Sequence, residues 1–328
     1  QYHSDAAPKG VEDLGAGDNT GLHFSTANNF YYCWGEPLHT DFAPRRDAAE
    51  YPYIEQPAKA TGNDHFDAWP SANDWYETVK LNYGVDYCDA GGCSTHFDPI
   101  PSTWKKMLDI LLFWGAKGVD AFRCDMAEMV PVEFWEWAIA RVRKAYPSIT
   151  FIAEVYNPTL YRDYIFRGGF DYLYDKVGLY DTLRAVVRGE APASAITAKW
   201  QCVDDIRKHM LYFLENHDEQ RIASTFFCGD ARKAIPAVVA EAFMGTNPLM
   251  VYAGQEIGER GEDAEGFSGH DGRTTIFDYW SPQKLQKLFA LGADGKVRKA
   301  AQTAYGHTSY AGKGLVLTAE EKELYHAY

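Results

Sequence analysis

From residue 101 onward the chain alternates short apolar runs with longer helical patterns, and this alternation restricts the fold more than any other feature. Residues 101–116 read as a helix, with Pro101 at its start, Trp104, Met107, Leu108, Leu111 and Leu112 on one face, and a stop near Gly118. A short apolar strand comes next at 119–124, then a helix over 130–146 that sets Phe134, Trp137, Ala138 and Val142 at helical spacing. Further strands are expected at 150–155, 171–174, 210–214 and 249–253, and further helices at 160–166, 179–187, 195–207 and 231–244. Residues 318–328 begin another amphipathic helix. Units of roughly 25 to 45 residues alternating in this way imply parallel strands joined by helical crossovers. An open sheet that bound a dinucleotide or phosphate would carry a Gly-rich turn after its first strand, and no GxGxxG or GxxxxGK comes after any of these strands. The fold class expected is α/β, a (β/α)8 barrel of the TIM type.

Residues 1–98 obey another rule. They are rich in Gly, Pro, Asn, Asp and aromatics, with turn sequences such as Gly15-Ala16-Gly17-Asp18-Asn19 and little sustained periodicity. This is an irregular but folded excursion, because Tyr31-Tyr32-Cys33-Trp34 is costly to leave in water. Sugar-binding clefts use aromatic faces, so Tyr31, Tyr32 and above all Trp34 are candidates to line one, against the alternative that they form a local core. The net charge of −14 disfavours nucleic acid and anionic lipid as partners, and no apolar run is long enough to span a bilayer. Six cysteines are too few for a disulfide scaffold in 328 residues. Cys88 and Cys93 read as free thiols or one local bridge; as a metal cluster with His96 they lack a fourth ligand.

The chemistry sits after the strands. The run 119–124 delivers Asp125, and 150–153 delivers Glu154. The run 210–214 leads into Glu215-Asn216-His217-Asp218, and 249–253 into Gln255-Glu256. One acid after a strand is an ordinary helix cap. Four in succession mark the C-terminal face of a barrel, where active sites of this architecture assemble. Crowded carboxylates displace one another's pKa values, so one stays protonated while its neighbour stays ionised, which is what glycoside hydrolysis requires. Divalent-metal chemistry is the competing use of such a cluster. Arg123, on the same side of its strand as Asp125, favours the first, because a guanidinium keeps a nucleophile ionised and is a poor neighbour for a metal.

These residues resemble a known family. Gly118-Val119-Asp120-Ala121-Phe122-Arg123-Cys124-Asp125 is similar to the strand-four motif of the α-amylase family, glycoside hydrolase family 13. Phe151-Ile152-Ala153-Glu154-Val155 resembles its strand-five motif, Phe213-Leu214-Glu215-Asn216-His217-Asp218 its strand-seven motif, and residues 249–256 its strand-eight region. The resemblance implies Asp125 as nucleophile, Glu154 as general acid/base and Asp218 as the third carboxylate that grips sugar hydroxyls. It implies Arg123 and His217 as sugar contacts, and Tyr156 as an aromatic that stacks on the leaving-group sugar. The implied reaction is retaining cleavage of α-glucosidic bonds in starch-type glucans or maltooligosaccharides, with the Asp125 and Glu154 carboxyls about 5 to 5.5 Å apart. Transglycosylases, α-glucosidases, cyclomaltodextrinases and isomerases share the first half-reaction and stay open, as does a non-catalytic sugar-binding relative.

Two departures stand out. Many amylases have Lys-His three and four residues after the nucleophile, serving substrate and a structural calcium; here these are Glu128 and Met129, so no cofactor is expected for the chemistry and calcium is unsupported. The family's strand-three segment ending in Asn-His is missing, and residues 1–5 resemble the stretch that comes soon after that segment. The expectation is therefore a partial barrel with strands four to eight visible. Residues 1–98 would form domain B, inserted between strand three and helix three, and 99–328 the barrel from helix three to the start of helix eight. Such a piece is expected to be inactive alone, and its full-length parent secreted or periplasmic.

Overall fold

The computed structural model describes residues 13–40, 42, 55–261, 271–274, 284 and 317–328; residues 1–5 and the remaining parts of the expected inserted domain lie outside them. The chain divides into two compact units: Gln1–Phe122, Met129–Phe151 and Arg167–Gly169 make up the first, and Arg123–Glu128, Ile152–Phe166 and Phe170–Tyr328 the second.

The irregular part of the first unit contains two short antiparallel strand pairs and two isolated antiparallel bridges among its described residues. β1 (Tyr32–Cys33) pairs with β2 (Ala58–Lys59), and β3 (Val85–Asp86) with β4 (Ser94–Thr95). Backbone groups left without a ladder are met by side chains instead, as buried polar groups require. Asp18 accepts hydrogen bonds from the Asn29 and Phe30 N–H groups and from the Tyr32 hydroxyl. Buried Asn82 donates to Ser25 O and accepts from Gly84 N. Tyr31 and Tyr32 are 1% and 3% exposed, so they form the local core and do not line a cleft. Tyr31 packs edge-on against Phe66, and its hydroxyl donates to Val85 O at 2.7 Å. Apolar bulk and a hydrogen-bonded tip suit a tyrosine to such a loop-built interior.

The helical part of this unit pairs α1 (Ser102–Ala116) with α2 (Val132–Ala145). Trp104 anchors it at 2% exposure, donating its indole N–H to Tyr83 O and lying edge-on to Phe134. Helix α2 buries Phe134, Ala138 and Val142 as the spacing predicts, while Trp137 is only half-buried under the Arg141 guanidinium.

Five strands form one parallel sheet in sequence order, a curled partial barrel: β5 (Ala121–Cys124), β6 (Thr150–Ala153), β7 (Tyr172–Tyr174), β8 (Met210–Phe213) and β9 (Leu249–Met250). All four residues of β8 are buried, as expected of a strand covered on both faces. The strand expected over 249–253 stops at Met250, because Gln255 N bonds back to Tyr252 O in a turn that Gly254 closes at φ +97°.

Helices of the second unit are more broken than their apolar periodicity suggests. α3 (Tyr161–Phe166) matches its expected span. The helix expected over 179–187 begins earlier, as a π-helical turn Lys176–Tyr180 whose Leu179 N–H is capped by the Asp175 carboxylate, and continues as α4 (Asp181–Val187). α5 (Ser194–Cys202) ends five residues before the expected boundary, where Val203 leaves the helical conformation. The helix expected over 231–244 starts as a 3-10 turn, Ala231–Ala234, and settles into α6 (Ile235–Phe243) with Pro in its first turn, where a missing N–H does no harm. α7 (Ala319–Ala327) is opened by a capping box between Thr318 and Glu321. On the buried side of α6, Glu241 is 3% exposed, and among the described residues neither carboxylate oxygen has a hydrogen-bond partner. Burial pushes its carboxyl up to about 9.

Candidate active site

Asp125 comes directly after β5, and Glu154 directly after β6. Both belong to the second unit, as do Arg123, Tyr156, Tyr174, His217 and Asp218. Arg123 is the hub: its Nη1 lies 2.6 Å from Asp125 Oδ1, and its Nη2 lies 3.0 Å from Glu154 Oε2 and 3.9 Å from Asp218 Oδ2. Tyr174, at the end of β7, accepts a long hydrogen bond from Arg123 Nε at 3.4 Å. His217 Nε2 sits 3.0 Å from Asp218 Oδ2. Tyr156 donates its hydroxyl to Glu154 Oε1 at 2.7 Å. Six of the seven candidate residues thus form one cluster. Trp34 lies in the first unit, 70% exposed, with its ring 5.2 Å from that of His23.

The environments of the two central carboxyls push them apart. Burial opposes ionisation of Asp125, but a hydrogen bond from Glu154 and the Arg123 guanidinium outweigh it and hold the carboxyl below the ordinary aspartate range. Glu154, only 2% exposed, is pushed up by burial and by its hydrogen bond to Asp125, against the opposing Met126 N–H, Tyr156 hydroxyl and Arg123. The two displacements favour the proton on Glu154 and the charge on Asp125. Both carboxyls lie on the same guanidinium, Asp125 on Arg123 Nη1 and Glu154 on Arg123 Nη2.

Two contributors carry no signal in the sequence. Met126 has φ +41°, a left-handed conformation unfavourable for a side chain of its size, and this turn aims its N–H at Glu154 Oε2 at 2.8 Å. Tyr174 reads as an ordinary strand aromatic, yet its ring also lies 5.6 Å beneath the Arg123 guanidinium.

The remaining strand-end acids do other work. Glu215 is fully buried against Arg221, and Glu256 accepts the Gly254 N–H. Only three of the acids at strand ends therefore gather at the site. Glu128, where the resemblance raised calcium, holds the Asn157 N–H with Oε2 at 3.0 Å, and Met129 offers no oxygen donor. Among the described residues no group of three or more His, Cys, Asp or Glu is arranged to hold a metal ion, and Cys88 and Cys93 are free thiols.

No family model matches the chain. Over 228 residues, 67% of this chain, it is 29% identical to an α-amylase, MalA, of Haloarcula japonica. It is 40% identical over 92 residues, 27% of this chain, to an α-1,4-glucan:maltose-1-phosphate maltosyltransferase of Cereibacter sphaeroides. These likenesses support an α-amylase-family catalytic domain. Solved structures show the same barrel fold. A cyclic α-maltosyl-(1→6)-maltose hydrolase of Arthrobacter globiformis, in complex with maltose, superposes with TM-score 0.52 at 19% identity, over 75% of this chain and 47% of that one. A debranching enzyme of Nostoc punctiforme gives 0.50 at 16% identity, over 78% and 49%. The matches span 31% of the amylase, 16% of the maltosyltransferase and just under half of each solved chain.

Proposed function

We propose that this chain carries the retaining machinery of an enzyme that cleaves α-glucosidic bonds in α-glucans or maltooligosaccharides. The observation that carries the reading is the gathering of Asp125, Glu154 and Asp218 around Arg123, in surroundings that push the Asp125 carboxyl down and the Glu154 carboxyl up. Glu154 gives its proton to the glycosidic oxygen as the bond to the anomeric carbon breaks, and the Asp125 carboxylate takes that carbon as a covalent ester. Glu154, now a base, removes a proton from water, whose oxygen displaces Asp125 and restores both groups. Arg123 counters the charge left behind on the free carboxylates, while His217 and Asp218 hold sugar hydroxyls. Tyr156 offers a ring to the leaving-group sugar, and Trp34 a stacking surface in the inserted domain, residues 1–98. No step needs a metal or cofactor.

Likeness to the maltosyltransferase favours a second reading, in which an acceptor other than water resolves the ester. Product analysis of the full-length parent on starch, pullulan, cyclodextrins and maltotriose, each with and without inorganic phosphate, separates the two. Glucose and short oligosaccharides indicate hydrolysis, and maltose 1-phosphate indicates transfer. No conversion of any of these substrates would overturn both.

A further inference from the structure

The loop that carries His217 and Asp218 leaves β8 and returns to the interior within a few residues. It is closed by a buried ion pair that the proposed reaction does not use. Glu215 and Arg221, both 0% exposed, stand at its two ends. Glu215 Oε2 accepts from Arg221 Nη1 at 2.8 Å, and its Oε1 accepts the Ile222 N–H at 2.7 Å. The arginine reaches further. Its Nη1 donates to Ala253 O beyond the end of β9, its Nε to Thr274 Oγ1 at 2.7 Å, and its own N–H to Gly272 O. The Tyr252 ring lies 4.0 Å from the guanidinium. Gly272, at φ +79°, permits this approach, because a Cβ there would lie 2.5 Å from Ser224 Oγ. Inside the loop, Asn216 Oδ1 accepts the Asp218 and Glu219 N–H groups, both at 2.8 Å, and Tyr180 and Lys176 hold the Glu219 carboxylate.

We infer that the Glu215–Arg221 pair is a positioning device for His217 and Asp218, fixing their loop to the segment after β9; this rests on the proposed role of Asp218. Asp218 touches neither member of the pair. Its carboxylate meets His217, on the same loop, at 3.0 Å and Arg123 at 3.9 Å, so its place depends on how that loop is held. Fully buried ions add little net stability over apolar groups of similar size, but they impose a single geometry on what they join. Arg221 joins three segments with a planar fork, which a lysine or an apolar side chain cannot reproduce.

The test uses the full-length parent and the double variant Glu215→Met/Arg221→Met, which leaves no unpaired buried charge. Three quantities are read: Tm, kcat and KM on a nitrophenyl maltooligoside, and the ring 13C resonance of His217 in selectively labelled protein, assigned with His217→Gln. The expected result is a Tm within a few degrees of the parent, kcat lowered at least tenfold, and a displaced His217 resonance. A folded double variant whose His217 resonance matches the parent overturns the inference. If the parent does not act on the maltooligoside, the functional proposal fails, and the resonance still decides the positioning role. If the double variant does not fold, Thr274→Val, which removes one acceptor from Arg221, is read in the same way. A displaced resonance at unchanged Tm supports the role, and an unmoved one overturns it.

Discussion

At the residue scale, Asp125 and Glu154 differ less in kind than in surroundings. Asp125→Asn keeps the shape but removes the electron pair that attacks the anomeric carbon, so kcat on α-glucans should fall by about 10⁴ or more while glucan affinity survives. Near-parental turnover by that variant would remove Asp125 from the role. Glu154→Gln should be as damaged on natural glucans, yet recover its first step on substrates whose leaving group needs no proton. Tyr156 permits a signed test. Its hydroxyl donates to Glu154, which favours the ionised carboxylate and so lowers that group's pKa. Tyr156→Phe should therefore move the alkaline limb of the kcat/KM profile to higher pH, leaving the acid limb, set by Asp125, in place. An alkaline limb that stays put or moves down would show that the hydroxyl does not tune the acid.

At the scale of elements, strand ends were the legible part. The acids after β5, β6 and β8 were found by pattern because a parallel strand delivers its next residue to a common edge, and Arg123 by its parity with Asp125. Backbone-mediated contributions were not legible. Nothing about a methionine announces the left-handed turn at Met126, which arises from closure around Glu154. Met126→Pro removes the N–H and cannot adopt φ +41°, so the variant should lose most turnover while its far-ultraviolet circular dichroism stays parental. Parent-like kinetics would mean that the N–H is dispensable. The acids Glu215 and Glu256 misled because sequence shows only that a carboxylate comes after a strand, not whether it turns toward the site or the interior. Boundaries slipped where side chains override periodicity, as Asp175 does by capping Leu179 and Gly254 by ending β9 early. In the loop-rich region, aromatic density could not separate a cleft from a core, and Tyr31 and Tyr32 proved to be core.

At the scale of the whole molecule, one group outside the site couples the fold to pH. Glu241 titrates near 4.5 as a free side chain and at about 9 when buried in the native state. A folded pKa above the unfolded one gives stability that is fully present below pH 4.5 and is lost progressively as pH rises toward 9. Glu241→Gln, neutral at every pH, should therefore raise Tm relative to the parent at pH 8 and change it little at pH 4.5. Equal displacement at both values would show that the carboxyl finds a charge partner or water in solution. Taken further, this one carboxyl makes the hydrogen ion a ligand of the native state. Each molecule that unfolds near neutrality releases a proton here, so in weak buffer a melting sample acidifies itself, and the falling pH in turn opposes further melting.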